Sequence, residues 1–229
     1  MPVRDSTHWE PKLGRPSPCH YGDGWLDRYA DTVRKAGVTR IWPDDAEIVL
    51  DVGCGDGQFA AWVKQRFNVA VIGVDAYHWP GAEDRVDALY VDDAETFASL
   101  IQPQAFDLAV CVTSLPFMQD WRRCVAGLVR ACKRVLVVDN LQHPPPEWQL
   151  GLPEKQPIDY WDLVQTFDSH RWSVEAATAI NVLDRRLFFR LPSWLAYALT
   201  LPIDLLLAPS TRPPRARYSA VLFAPKVMP

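Results

Sequence analysis

The chain has 229 residues, a hydrophobic content of 48% and a formal net charge of −4 at pH 7. This length and composition fit one α/β domain with a sizeable core and exclude a disordered chain. The acidic balance argues against broad nucleic-acid binding, because that function needs a basic surface.

The five cysteines are odd in number and include no C-x-x-C pair. This pattern is typical of buried thiols in a reduced, intracellular protein, and it predicts no metal site. Residues 1–12 lack the apolar core of a signal peptide, and no run reaches the roughly 18 apolar residues that span a bilayer. We therefore expect a cytoplasmic protein.

The first 40 residues are expected to form an N-terminal arm and a cap helix. Residues 1–20 contain four prolines and little periodicity, which is typical of an irregular segment. A helix is predicted from about Trp25 to Ala36, with Gly37 as its C-cap. Tyr21 and Trp25 are candidates either to contact a ligand or to pack as ordinary aromatics.

The stretch from residue 48 to residue 67 carries the clearest motif. Ile48–Val52 is predicted to be a buried strand, three glycines follow at alternate positions, and residues 60–67 are predicted to be a helix. The dinucleotide fingerprint fits poorly, because Gln58 stands where a third small residue is expected, and the phosphate loop is absent. Asp51 would repel a pyrophosphate, so it favours a positively charged ligand.

The D-x-G-x-G-x-G pattern from Asp51 to Gly57 closely resembles motif I of the class I methyltransferases, which bind S-adenosylmethionine. That ligand carries an ammonium and a sulfonium, so an acid beside the glycine turn is electrostatically favourable. The resemblance implies a Rossmann-like, doubly wound α/β fold with a seven-stranded sheet, mostly parallel with an antiparallel last strand. It also implies S-adenosylhomocysteine as the product.

A second strand is predicted over Val69–Asp75. Asp75 lies 18 residues after Gly57, where a carboxylate can accept hydrogen bonds from both hydroxyls of a ribose. The same spacing occurs in NAD enzymes, so it indicates a nucleoside rather than one particular cofactor. A turn-forming Asp75 without a ligand is the alternative.

A short third strand is predicted over Ala88–Val91. The acids that follow it resemble the family's loop after strand three, where a side chain meets the adenine amino group; Asp93, before Ala94, is the better match and Asp92 the second. The alternative is an acidic first turn for a helix over Ala94–Leu100, and both roles are compatible.

Strands four and five are predicted over Phe106–Thr113 and Arg134–Asn140, with a helix over Trp121–Ala131 between them. Strand four does not resemble the N-P-P-Y ending of those methyltransferases that act on exocyclic or amide nitrogens. The resemblance therefore argues against methylation of DNA bases or glutamine. Polar residues stand at the ends of all five strands, and the ligand of an open parallel sheet lies beyond those ends. They are Asp51, Asp75, Asp93, Thr113 and Asn140.

The core is expected to span residues 41–182, ending in a helix over Ile158–Phe167 and a sixth strand over Trp172–Val182. Residues 218–229 supply the last, antiparallel strand. Between them, residues 183–217 form an apolar and basic insert with six arginines and two aspartates. Three interpretations of this helical insert stay open: a hairpin packed on the sheet or on a second subunit of a homodimer, a lid over a hydrophobic acceptor, or an element lying on an anionic membrane surface.

The predicted cofactor-binding residues share the strand ends and the turns that follow them. They are Asp51, Gly53, Cys54, Gly55, Gly57, Asp75, Ala76, Asp92, Asp93, Ala94 and Thr113. The predicted catalytic residues are His143, as a general base near neutral pH, and Asn140, as a positioning group. Other candidate bases are His78 and Asp120, and Trp148 and Tyr160 are expected either to line an aromatic wall or to pack in the core.

These observations predict an S-adenosylmethionine-dependent methyltransferase that acts on a small or lipid-like hydrophobic acceptor, at O, N or C. The expected partners are that acceptor and, through residues 183–217, a second subunit or a membrane surface; nucleic acid is not expected. The alternatives are a protein or RNA methyltransferase, a non-catalytic partner subunit of the same fold, and a nicotinamide-dependent oxidoreductase.

Overall fold

A computed structural model describes residues 4–5, 25–141, 156, 158–180 and 218–226 of the chain. The strands are β1 (Arg4–Asp5), β2 (Ile48–Val52), β3 (Ala70–Asp75), β4 (Tyr77–His78), β5 (Ala88–Val91), β6 (Phe106–Val112), β7 (Cys132–Asp139), β8 (Trp172–Ile180) and β9 (Tyr218–Pro225). The α-helices are α1 (Trp25–Arg40), α2 (Gln58–Phe67), α3 (Ala94–Leu100), α4 (Trp121–Ala131) and α5 (Tyr160–Ser169), and Leu115–Phe117 form a 3₁₀ turn.

Seven of these strands form one sheet in the order β5-β3-β2-β6-β7-β9-β8. The first five are mutually parallel, whereas β9 runs antiparallel to both β7 and β8. This arrangement confirms the predicted fold class. The chain builds outward from β2 in one direction and then returns to continue from β6 in the other. The crevice of a doubly wound sheet opens at such a reversal, here at the carboxyl ends of β2 and β6.

Helices cover both faces of the sheet, which explains the nearly continuous apolar sequences of the central strands. Val38 of α1 and Val63 of α2 pack on one face, together with Val49 and Val110. The other face is covered by α3, α4 and α5, and its buried side chains include Leu50. The core therefore fixes the central strands and, with them, the positions of their carboxyl ends.

Helix α4 has the bounds that its sequence predicts, and its apolar side chains Trp121, Val125 and Leu128 are buried. The prediction that Gly37 ends α1 is wrong, because the helix continues to Arg40. Gly37 is buried there, and the last turn is held to β8 by a hydrogen bond from Arg40 Nη1 to Thr178 Oγ1, 3.1 Å long. Tertiary contacts thus override the local tendency of glycine to stop a helix.

The N-terminal arm, predicted to be irregular, contributes the two residues of β1, which pair in parallel with Tyr77 and His78 of β4. The insert at residues 183–217 and most of the loop at residues 142–157 lie outside the described residues, so the three interpretations of the insert stay as predictions. Within the ranges given above, no helix is long and apolar enough to cross a membrane.

Candidate functional site

The turn between β2 and α2 is built from glycines that the backbone requires. Gly53, Gly55 and Gly57 have φ angles of 72°, 56° and 77°, all in the left-handed region that disfavours other residues. A Cβ on Gly53 would lie only 2.5 Å from the Cβ of Ser114. The turn is therefore packed against the segment after β6, and it ends at the N-terminus of α2.

Asp75, at the end of β3, accepts three hydrogen bonds. Its Oδ2 accepts from the backbone amide of Gly55 at 2.9 Å, and its Oδ1 accepts from the amide of Tyr77 at 2.9 Å and from Trp79 Nε1 at 3.2 Å. Burial raises the pKa of the Asp75 carboxyl, and these three hydrogen bonds act in the opposite direction. A carboxylate has about four lone-pair sites, so Asp75 keeps capacity for a further donor.

Asp51 is a buried acid with an unsatisfied oxygen. Its side chain lies on β2 with 3% of the residue exposed, and its Oδ2 has no hydrogen-bond partner among the residues that the structure describes. Burial raises the pKa of Asp51 to about 7, and the neighbouring charge of Asp75 adds to this effect. A buried carboxyl without a partner destabilises the fold unless a donor or cation reaches it.

The loop after β5 is tied to the same place. The amide of Asp92 donates to the carbonyl of Asp75 at 2.9 Å, and the amide of Asp93 donates to Asp92 Oδ1 at 2.8 Å. Both aspartates are half-buried, and the buried Ala94 begins α3 directly after them. Two acidic residues therefore follow β5 at the same edge of the sheet as Asp75.

The segment after β6 is strained. Thr113 has a φ of 51°, which is uncommon for a β-branched residue, and its amide donates to the carbonyl of Val138 at 2.8 Å. This conformation turns the chain so that Ser114 lies against Gly53. Sequence reasoning missed Ser114, because a left-handed threonine leaves no sequence signal; only the hydroxyl next to a predicted strand end could have suggested it.

The end of β7 is polar and buried. Asn140 is 1% exposed and Asp139 is 2% exposed, and the amide of Asn140 donates to Asp139 Oδ1 at 2.6 Å. The start of α5 lies alongside, because the amide of Tyr160 donates to the carbonyl of Leu141 at 3.1 Å. Buried Asp159 caps α5 by accepting from the amide of Asp162 at 2.9 Å. Neither Asp139 nor Asp159 was predicted, although an aspartate before an apolar helix is a recognisable cap.

The other residues predicted for the site make fewer contacts that bear on a ligand. Cys54 is buried, with its amide 3.2 Å from the carbonyl of Val74, and Ala76 is half-buried directly after Asp75. Asp120 is exposed and caps α4 by accepting from the amide of Arg123, a structural role. His78 is exposed, with Nε2 3.7 Å from Glu83 Oε2.

Tyr160 is 5% exposed and packs in the core, which favours the packing interpretation over a ligand wall. Burial raises the pKa of its hydroxyl. His143, Trp148, Tyr21 and the side chain of Trp25 lie outside the described residues. Within the described part of the chain, no group of three or more His, Cys, Asp or Glu side chains is placed to hold a metal ion.

The structure thus brings the glycine turn, Asp51, Asp75, the acids after β5 and Thr113 to one edge of the sheet, around the reversal between β2 and β6. The charge there is negative, which fits a ligand with hydroxyl donors, an amino group and a positive charge. It does not fit a pyrophosphate. These are the groups of S-adenosylmethionine: ribose hydroxyls, an adenine amine and an ammonium beside a sulfonium.

Comparison with protein families gives a match over residues 26–187 to a family described as a methyltransferase domain. No curated protein sequence matches the chain. Several solved structures share its fold, with sequence identities low enough that the likeness concerns the fold alone.

A structure described as an S-adenosylmethionine-dependent methyltransferase and possible histamine N-methyltransferase, from Thermotoga maritima, has 17% identity and a TM-score of 0.65, over 87% of this chain and 90% of that one. The 4+2 cyclase SpnF has 18% identity and a TM-score of 0.64, over 100% and 99% of the two chains. A geranyl diphosphate C-methyltransferase from Streptomyces coelicolor, with geranyl diphosphate and S-adenosyl-L-homocysteine bound, has 13% identity and a TM-score of 0.61, over 93% and 87%.

Proposed function

We propose that this chain, which belongs to the methyltransferase domain family, transfers a methyl group from S-adenosylmethionine to a small or lipid-like hydrophobic acceptor. Its fold is that of the class I S-adenosylmethionine-dependent methyltransferases. The observation that carries the proposal is Asp51, a buried carboxyl beside the glycine turn with an oxygen that no described residue satisfies. A cationic ligand in this turn would supply the missing donor.

When bound, S-adenosylmethionine supplies the methyl group on its sulfonium, and the protein supplies position and electrostatics. We assign Asp75 to the ribose, because it stands at the end of β3 with one acceptor site left. Asp92 and Asp93 are assigned to the adenine amino group, since their loop is hydrogen-bonded to Asp75. The glycine turn then faces the remaining, amino-acid end of the cofactor.

The acceptor is proposed to be hydrophobic because of the composition of residues 183–217. In that segment, the 13 residues from Leu191 to Ile203 include no charge. One fold neighbour has geranyl diphosphate bound, which supports the proposal of a hydrophobic acceptor.

A general base is needed only for an acceptor that must lose a proton. His143 is proposed for this role, because it stands three residues after the buried Asn140 and its ordinary pKa is near neutrality. Asn140 is proposed to position the acceptor from the end of β7. Holding the acceptor in line with the methyl group lowers the barrier by about 7–11 kcal/mol in well-oriented systems.

Calorimetry of the purified protein with S-adenosylmethionine, S-adenosylhomocysteine and NAD tests the cofactor assignment. We expect a dissociation constant near 1 μM for the first two, equivalent to about −8 kcal/mol, and none measurable for NAD. The proposal would be refuted if the protein bound neither S-adenosylmethionine nor S-adenosylhomocysteine, or if it bound NAD more tightly.

Transfer itself is tested by S-adenosylhomocysteine release with a panel of hydrophobic acceptors, a protein extract and RNA. Release with the hydrophobic panel alone supports the proposed acceptor class. Release that depends on RNA and falls steeply with added salt would replace it with RNA methylation. Binding without release on any acceptor would favour the non-catalytic alternative.

A further inference from the structure

We infer that the hydroxyl of Ser114 is a second ligand, with Asp51, for the ammonium at the amino-acid end of the cofactor. This inference rests on the proposed function and adds to it a binding residue at the junction of β2 and β6. Ser114 lies outside the glycine motif and was not among the residues that the sequence predicted.

The first observation is that the Ser114 hydroxyl is buried and unsatisfied. Its Oγ has no hydrogen-bond partner among the described residues, although a serine hydroxyl can donate once and accept twice. The backbone of the same residue is used, because the Ser114 carbonyl accepts from the amide of Phe117 at 3.0 Å. The side chain is therefore held in place by its backbone while its own polar group stays without a partner in the described structure.

The second observation is the strain that places this side chain. Thr113 adopts a left-handed conformation with a φ of 51°, and its amide is fixed to the carbonyl of Val138. Such a conformation persists only where the surroundings impose it, and it is concentrated at functional sites. Here it brings the Ser114 Cβ into the space that a side chain on Gly53 would need, 2.5 Å from that side chain's Cβ position.

The third observation is that an unsatisfied acid lies close by. Asp51 is two residues before Gly53, a Cα separation of about 6.6 Å in an extended strand. Its Oδ2 likewise has no partner among the described residues, and Asp51 is 3% exposed. Two buried oxygens without described partners thus belong to residues that adjoin Gly53: Asp51 precedes it along β2, and Ser114 packs on it from the segment after β6.

An ammonium has enough donors for both oxygens. It carries three donors, so one proton can go to the Asp51 carboxylate and another to the Ser114 hydroxyl. A ribose hydroxyl and the adenine amine carry no positive charge, and charge-assisted hydrogen bonds to a carboxylate are about twice as strong as neutral ones. Of the groups in the cofactor, the ammonium at its amino-acid end therefore matches this pair best.

A comparison of two ligands can distinguish a binding role of Ser114 from a structural role. S-adenosylhomocysteine contains the amino-acid end, whereas 5′-methylthioadenosine keeps adenine, ribose and sulfur but lacks it. In calorimetry, we expect Ser114→Ala to weaken binding of S-adenosylhomocysteine roughly tenfold, as for loss of a hydrogen bond to a charged group, and to leave binding of 5′-methylthioadenosine unchanged. The alanine keeps the Cβ that packs on Gly53, so the turn should be preserved.

The matched control is Ser99→Ala, whose exposed hydroxyl donates to the carbonyl of Thr96 in α3. It should change neither affinity. Equal weakening of both ligands by Ser114→Ala, or no weakening of either, would overturn the inference. Should Ser114→Ala not fold, Ser114→Cys, with a weaker acceptor in the same place, should show the same selective loss. Wild-type protein that binds neither ligand would refute the proposed function itself, an outcome distinct from failure at Ser114 alone.

Discussion

The Asp75 carboxylate is hydrogen-bonded to the backbone amide of Gly55, with Oδ2 2.9 Å from the nitrogen. This bond joins the end of β3 to the glycine turn after β2. The same carboxylate also accepts from the amide of Tyr77 and from Trp79 Nε1. Asp75 therefore both orders the turn and offers an acceptor to a ligand, so its replacement should affect both.

We expect Asp75→Ala to weaken binding of S-adenosylmethionine about 100-fold. The substitution removes the acceptor for a ribose hydroxyl and releases the amide of Gly55. Hydrogen bonds to charged groups contribute about 1.5–3 kcal/mol each. Calorimetry measures the affinity, and thermal unfolding of the ligand-free protein measures the loss of stability.

Asp87→Ala is the matched control for Asp75→Ala. Asp87 is also an aspartate that accepts a backbone hydrogen bond, from the amide of Val71, and it forms an ion pair with Lys64. It precedes β5, away from the carboxyl ends of the strands. Asp87→Ala should lower the stability of the fold and leave the cofactor affinity unchanged. Similar affinity losses in Asp75→Ala and Asp87→Ala would contradict the assignment of Asp75 to the ribose.

The raised pKa of Asp51 makes a prediction about stability. Its pKa in the folded protein is about 7, against a reference value of 3.8, so the folded state binds a proton more tightly than the unfolded state. The cost of the buried charge is absent below the reference pKa, grows as the pH rises, and is complete above about pH 7. At its upper limit it is on the order of 4 kcal/mol.

Asp51→Asn should therefore be more stable than the ligand-free wild type at about pH 8, and the difference should shrink towards about pH 4. Urea unfolding at several pH values measures it. If the difference in free energy of unfolding between Asp51→Asn and wild type did not change with pH, the buried charge of Asp51 would not be its cause.

The pKa of Asp51 also leads us to expect that cofactor binding depends on pH. Affinity should rise as the pH increases through about 7, because only the ionised carboxylate attracts the ammonium strongly. It should fall again above about pH 8, where an α-amino group loses its proton. In Asp51→Asn the rise should disappear while the fall persists. A rise that survives the substitution would place the titrating group elsewhere.

The sequence predicts those parts of the fold that local pattern determines. Helix α4 begins after Asp120, whose carboxylate caps it, and the spacing of Trp121, Val125 and Leu128 defines its buried face. The acids of β2 and β3 are also visible in the sequence, since Asp51 interrupts an apolar run one residue before its end and Asp75 ends one.

Features that depend on tertiary contacts are not visible in the sequence. The continuation of α1 past Gly37 depends on packing against β8, where Arg40 meets Thr178. The position of Ser114 depends on the left-handed conformation of Thr113, which nothing in the residue type favours. Asp51 and Ser114 meet the same turn because β2 and β6 are neighbours in the sheet, a pairing made between residues far apart in the chain.

The proposed base is tested by His143→Gln. If the acceptor must lose a proton, we expect kcat to fall about 10²-fold or more, with unchanged affinity for S-adenosylmethionine, because general base catalysis typically contributes 10²–10⁴-fold. His78→Gln is the control, since His78 is exposed and lies beside Glu83. Equal rates for wild type and His143→Gln would remove His143 from the mechanism and favour an acceptor that needs no base.

The contact between Gly53 and Ser114 gives a prediction that separates backbone strain from steric clash. Gly53→Ala puts a residue with a Cβ at a φ of 72° and places that Cβ 2.5 Å from the Ser114 Cβ. Gly81→Ala makes a matched control, because Gly81 has a φ of 79° but, among the described residues, its added Cβ would meet only Arg85 Nη1, at 3.9 Å. Left-handed backbone alone costs roughly 1–2 kcal/mol for alanine.

Gly81→Ala should therefore lose about that much free energy of unfolding and keep its cofactor affinity. Gly53→Ala should lose a further 1–3 kcal/mol or so, as for overpacking, because either the turn or Ser114 must move. The turn and Ser114 both carry groups assigned to the cofactor. The affinity of Gly53→Ala for S-adenosylhomocysteine should therefore fall as well. Urea unfolding and calorimetry of the two variants measure these effects. Equal stability losses in Gly53→Ala and Gly81→Ala would mean that Ser114 can move away at no cost in free energy. The conformation of Thr113 would then not fix Ser114 against the turn.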